Sequence, residues 1–186
     1  MGLIGNVVMK KEFTVHFSSL LIFFFMVSLF RGWYDNFIYL TFWLGGILGL
    51  LLPDLDHVLY SVFLRPTELT SQRATYLLKN KRWSSAVDLL ARTKHERTYC
   101  VFHSFIFELV AIILMFLVVS SSGSLFGRGV VMGIMLHILI DQFMDFQEIG
   151  NLSRWRQKTS LKLEKDQEVF LWLIVSLFVL LFAFIL

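Results

Sequence analysis

From Val169 to Leu186 the chain runs for eighteen residues without one charged side chain. A helix needs about 20 mostly apolar residues to cross the hydrocarbon of a bilayer. There every backbone N–H and C=O must be satisfied inside the protein, which leaves the helix as the form open to such a run. Four more stretches obey the same pattern: 13–30, 36–53, 98–120 and 126–146. Composition agrees, with 56% hydrophobic and 17% charged residues, against roughly 45–50% and 25% in an ordinary soluble domain. The expectation is one all-α, polytopic membrane domain over residues 1–186. It has five transmembrane helices (13–30, 36–53, 98–120, 126–146, 169–186) and a helical insert, 61–97, between the second and third.

Basic residues orient the spans, because Lys and Arg collect on the cytoplasmic side. With the N-terminus inside, fifteen of the seventeen Lys and Arg residues fall on one side, and only Arg31 and Arg128 fall on the other. The expected location is therefore the cytoplasmic (inner) membrane, multi-pass, with the N-terminus cytoplasmic. Lys10 and Lys11 before the first span resemble a signal-peptide flank, yet no small-residue cleavage site follows, so the span reads as a retained anchor. In the insert, Pro66 and Ser84-Ser85 read as helix starts, and Ser85 with Asp88 resembles a capping box. Its basic face favours anionic headgroups, which makes membrane lipids the expected partner. A net charge of +3 gives no case for nucleic acid, and the single cysteine, Cys100, excludes a disulfide framework or a Cys-rich zinc module.

A charge at the centre of a membrane helix costs about 3 kcal/mol or more, so each needs a reason. Asp54, Asp56 and His57 close the second span, His103 opens the third with Glu108 deeper in it, and His137, Asp141 and Asp145 line the fourth. The topology drawn from Lys and Arg alone brings nearly all of them to one depth. His137, Asp141 and Asp145 are spaced by four and form one helical stripe. Asp54 and His57, three apart, share a face where Pro53 begins a helical turn. Imidazoles and carboxylates on facing helices are a usual way to hold a divalent metal in a bundle. Zinc is the first expectation. A catalytic zinc has three protein ligands and an open position, and lowers the pKa of bound water to about 7. His16 and His95 read as structural or solvated.

At Pro53-Asp54-Leu55-Asp56-His57 the chain resembles the membrane-bound metal-dependent hydrolases typified by the YdjM proteins. That family shares a His-Ser pair, here His103-Ser104, and a His-x-x-x-Asp, here His137 to Asp141. Thr14-Val15-His16 loosely echoes its early Thr-His. The resemblance implies a metal-dependent hydrolase with Asp54, His57, His103, His137 and Asp141 as metal-site residues. Asp56 is then the general base or an orienting residue, and Arg97 is the candidate for stabilising an oxyanion or phosphate. Site depth suggests a small-molecule or lipid substrate, such as a phosphoester. Two rivals stand beside this reading: a transporter passing metal ions or protons, and a structural protein whose metal staples the helices.

Overall fold

The computed structural model describes residues 3–33, 36–97, 100–121, 123–156 and 159–185, with side chains from residue 11 to residue 184 except residue 95. Every described element is helical: α1 (Leu3–Arg31), α2 (Leu40–Leu51), α3 (Leu55–Leu59), α4 (Leu69–Lys79), α5 (Trp83–Arg92), α6 (Phe105–Ser121), α7 (Leu125–Glu148) and α8 (Lys165–Ile185). Short 3-10 turns precede α2 and follow α5, and a π turn, Tyr60–Leu64, follows α3. Four segments are long and apolar enough to cross a membrane: Lys11–Arg31, Phe37–Leu64, Leu125–Glu148 and Lys165–Phe184. The protein is a helical membrane protein.

The expected third span differs. Thr98 and Tyr99 lie outside the described residues, and residues 100–104 are bends rather than helix, so α6 has 17 residues. The cause is local. The backbone N–H groups of Phe102 and His103 donate to the Asp56 carboxylate, at 2.6 and 3.3 Å, instead of to a helical carbonyl. Ser104 then caps α6, its Oγ accepting from the N–H of Phe107.

The tightest helix pair is α2 with α7, and glycine makes it so. A Cβ on Gly45 would lie 2.2 Å from the carbonyl oxygen of Phe126, and one on Gly49 would lie 2.1 Å from that of Val130. From the other side, Gly129 and Gly133 meet the carbonyl oxygens of Phe42 and Gly46 at 2.1 and 2.3 Å. Lipid gives no hydrophobic drive between helices, so close van der Waals packing through small residues takes its place. Phe24 of α1 stacks on Phe42 of α2 with ring centroids 4.5 Å apart and lays α1 across this pair.

The insert is helical, as expected, but its turn differs. α4 ends in a Schellman motif, with Lys81 at φ 58 and hydrogen bonds from Lys81 N to Leu78 O and from Arg82 N to Leu77 O. The chain emerges ready to start α5 at Trp83, so Ser85 falls inside the first turn and forms no capping box. The N-cap position is Arg82, with no side-chain cap.

Candidate metal centre

Four elements meet at one end of the bundle: the early part of α1, the α2–α3 junction, the bend before α6, and the second half of α7. Each brings a polar side chain by helical spacing. On α7, His137 and Asp141 are one turn apart, with His137 Nε2 3.6 Å from Asp141 Oδ2. His103 Nε2 reaches the same oxygen at 3.0 Å. His16 Nε2 lies 3.1 Å from Oδ1. Asp54 Oδ1 stands 3.8 Å from His137 Nε2. Three imidazoles therefore surround the Asp141 carboxylate, His16 at one oxygen and His103 and His137 at the other, and Asp54 stands against His137.

The far nitrogen of each imidazole is already engaged. His137 Nδ1 is 2.7 Å from the carbonyl oxygen of Leu50, and His16 Nδ1 is 2.9 Å from that of Glu12. His103 Nδ1 is 3.4 Å from Asp56 Oδ2. Oxygen acceptors require a proton on each Nδ1, which leaves the Nε2 lone pair pointing at Asp141. All three Nε2 atoms are buried, and none is aligned for a hydrogen bond, although His16 and His103 stand at ion-pair distance from Asp141. Lone pairs against a carboxylate repel. Three imidazolium rings would repel one another as well, since the His16–His137 and His103–His137 centroids are only 4.6 and 5.7 Å apart. A divalent cation between them removes both conflicts. A Nδ1–H held by a backbone carbonyl or carboxylate, with Nε2 free, is the usual outer-shell support of a metal-ligating histidine. The residues present fit the ion. His16, His137 and Asp141 also place one ligand atom each within 4.8 Å of one another.

The residues expected from the sequence divide accordingly. His103, His137 and Asp141 come together, and Asp54 joins them at the rim. His57 stands beside the centre. Its ring stacks on His103 at 4.9 Å, and its Nδ1 accepts from Arg97 Nε at 3.1 Å. A guanidinium keeps its proton, so the neutral His57 ring carries its own proton on Nε2. Arg97 is 3% exposed and also donates to Thr93 Oγ1 and to the carbonyl of Leu90. Its donors are committed to holding His57 and the end of α5. Asp56 is fully buried, with one oxygen shared by Phe102 N, His103 N and His103 Nδ1. Of its two expected roles, that geometry fits the orienting one. A second grouping, Asp56, Cys100 and His103, also lies within metal-binding distance. Its neighbourhood holds the Arg97 guanidinium, which repels a cation.

His16 is the residue whose part sequence reasoning underrated. Its signal was a lone imidazole at the depth of the other polar groups. Glu108 accepts from Gln142 Nε2 at 2.8 Å, and Asp145 accepts from Arg154 and Trp155. Both serve helix packing.

One helical turn beyond the centre lies a layer of ion pairs. Lys94 bridges Glu12 of α1, at 2.6 Å, and Glu148 of α7, at 3.5 Å. Burial by itself lowers the Lys94 pKa, but the hydrogen bond and charge of Glu12 outweigh it and raise the ammonium above its usual value. Arg154 pairs with Asp145 at 3.1 Å. Comparison with protein-family models, curated proteins and solved structures finds no match.

Proposed function

We propose that the protein is a membrane-embedded, metal-dependent hydrolase of ester or phosphoester bonds. The observation that carries this reading is the convergence of three buried Nε2 atoms on the Asp141 carboxylate, none aligned for a hydrogen bond, each ring fixed through its Nδ1. His16, His137 and Asp141 would hold the ion, with His103 against the same Asp141 oxygen as His137 and Asp54 at the rim. The four letters-deep segments around His16, Asp54, His103 and His137 that resemble the YdjM-like hydrolases point the same way. A zinc ion held there supplies a Lewis acid and an acidified water at neutral pH.

The chain's own residues do the rest. Asp56 orients His103, and Leu50 and Glu12 orient His137 and His16. Arg97 fixes the His57 ring, with its proton on Nε2, in a stack against His103. Hydrolysis adds water across the bond: the acyl carbon or phosphorus takes the hydroxyl, the C–O or P–O bond breaks, and the leaving oxygen takes the proton. Asp54 is the exposed carboxylate of the set, with 59% of its side chain accessible, and is the member able to meet a substrate.

Three protein ligands, with the accessible Asp54 beside them, leave a position for water and favour this reading over a metal that only staples helices, since a structural zinc has a closed four-coordinate shell. The orientation expected from the basic residues puts the centre at the cytoplasmic face of the inner membrane. The test is metal analysis of the purified full chain beside His103→Ala and Asp141→Asn, together with hydrolysis of p-nitrophenyl acetate and p-nitrophenyl phosphate. Stoichiometric zinc in the wild type, lost with activity in both variants, is expected. Metal content unchanged in both variants overturns the proposal.

A further inference from the structure

The exposed surface of the helices converges on the metal centre from the lipid side. On α1, Phe13, Phe17 and Leu21 form one exposed stripe at four-residue spacing, and Phe13 and Phe17 flank His16. On the neighbouring wall, Leu48, Leu51 and Leu55 are exposed, and Leu51 and Leu55 flank Asp54 in the same way, three before and one after. Both stripes belong to segments long and apolar enough to cross a membrane. The accessible carboxylate of Asp54 and the ring of His16 both stand against His137 of α7, which in turn meets Asp141.

The other side of the centre is stoppered. One turn past His16 and two turns past Asp141, Lys94 ties α1 to α7 through Glu12 and Glu148. Arg154 closes on Asp145 one turn past Asp141, and its second nitrogen donates to the carbonyl of Lys94 at 3.4 Å. Arg97 seals the flank at His57. These three multiply bonded cations, Arg97 buried and Lys94 and Arg154 nearly so, come from two separate segments, and a soluble substrate would have to break several of their bonds to pass.

We propose that the metal centre opens laterally into the bilayer, between α1 and the α2–α3 junction, and that its substrate is a membrane amphiphile. This rests on the hydrolase reading for the reaction but not for the route. The ester or phosphoester of the amphiphile lies at Asp54, at headgroup depth. Its acyl chain runs down the groove walled by the Phe13–Phe17 and Leu51–Leu55 stripes. The occupant follows from continuity: the walls are an extension of the lipid-facing surface, and the lipid beside them is the molecule already present.

The test uses the full chain in phosphatidylcholine vesicles doped with a phosphatidylcholine that carries a diazirine beside its glycerol ester. After irradiation, adducts are mapped by mass spectrometry in the wild type and in Leu55→Trp. Leu55 is 51% exposed, so the larger ring narrows the opening without touching the core. Leu55→Ala serves as the opposite change. Expected are adducts on the peptides holding Asp54 and Asp141. Leu55→Trp cuts them to the level of the lipid-facing α8 peptide, Leu55→Ala keeps them, and metal content stays unchanged in both. Labelling of Asp54 and Asp141 no stronger than that of α8, or insensitive to Leu55→Trp, overturns the lateral route. The two ideas fail separately. Lipid adducts at Asp54 without hydrolysis of any ester sink the hydrolase reading. Hydrolysis of p-nitrophenyl phosphate that Leu55→Trp leaves untouched, with no lipid adducts at Asp54, sinks the route.

Discussion

Gly133→Ala isolates the link between helix packing and the metal centre. The new Cβ would stand 2.3 Å from the carbonyl oxygen of Gly46, where ordinary contact begins near 3.4 Å, so α2 and α7 must part by about 1.1 Å. The obstacle is backbone and cannot rotate away. Overpacking of this kind costs about 1–3 kcal/mol. The second effect is specific. Leu50, one turn beyond Gly46, holds His137 Nδ1 at 2.7 Å. A retreat of that size along the bond stretches it to about 3.8 Å, beyond hydrogen-bond range. Losing such an outer-shell partner weakens metal binding by about 10–100-fold. The assay is zinc affinity of the full chain in detergent against graded chelator, beside thermal unfolding. Gly127→Ala is the control, because its Cβ meets nothing closer than 3.5 Å. Weaker zinc binding and a lower midpoint are expected for Gly133→Ala alone. A Gly133→Ala protein that holds zinc as tightly as the wild type refutes the reasoning.

Two further outcomes follow from the same geometry. Lys94 has a pKa raised above its ordinary 10.5 by Glu12, so its stabilisation is full below that value and is lost as pH rises through the folded-state pKa. Lys94→Met should unfold at a lower temperature near neutral pH and lack the alkaline loss of stability seen in the wild type, as read by thermal unfolding across pH. Asp56→Ala should destabilise by about 1–3 kcal/mol for each buried donor left unpaired, at Phe102 N and His103 N. Denaturant unfolding measures this, and a near-neutral Asp56→Ala would remove its assigned part in holding the bend.

Four of the five expected spans were legible because hydrophobic runs are set by bilayer thickness, a constraint independent of tertiary detail. The packing of Gly45 and Gly49 accords with their spacing, since small residues four apart are a common device for close helix contact in membranes. His103, His137 and Asp141 could be read from charge in an apolar context. What escaped was direction. His57 and Asp56 share a short segment with Asp54, yet the turn at Pro53 and the helix resuming at Leu55 send the three side chains to different neighbours. No spacing rule reports that Arg97, forty residues away, takes the Nδ1 of His57. His16 sits alone on α1, and its neighbours are settled only when α1 crosses α7. The bend before α6 was hidden because Cys100, Val101 and Phe102 read as the apolar start of a helix, and only the buried carboxylate of Asp56 shows where the amides of Phe102 and His103 went.

The length of α6 reaches beyond the protein. Seventeen residues give about 25 Å of helix, against roughly 30 Å of hydrocarbon. Such mismatch is relieved at modest cost by drawing the headgroups inward around the short element. A dent at the start of α6, just before Phe105, would bring water and phosphates down toward His103 and the Asp56 carboxylate that holds its amide, giving the polar cluster a wet boundary without any helix having to rise out of the membrane.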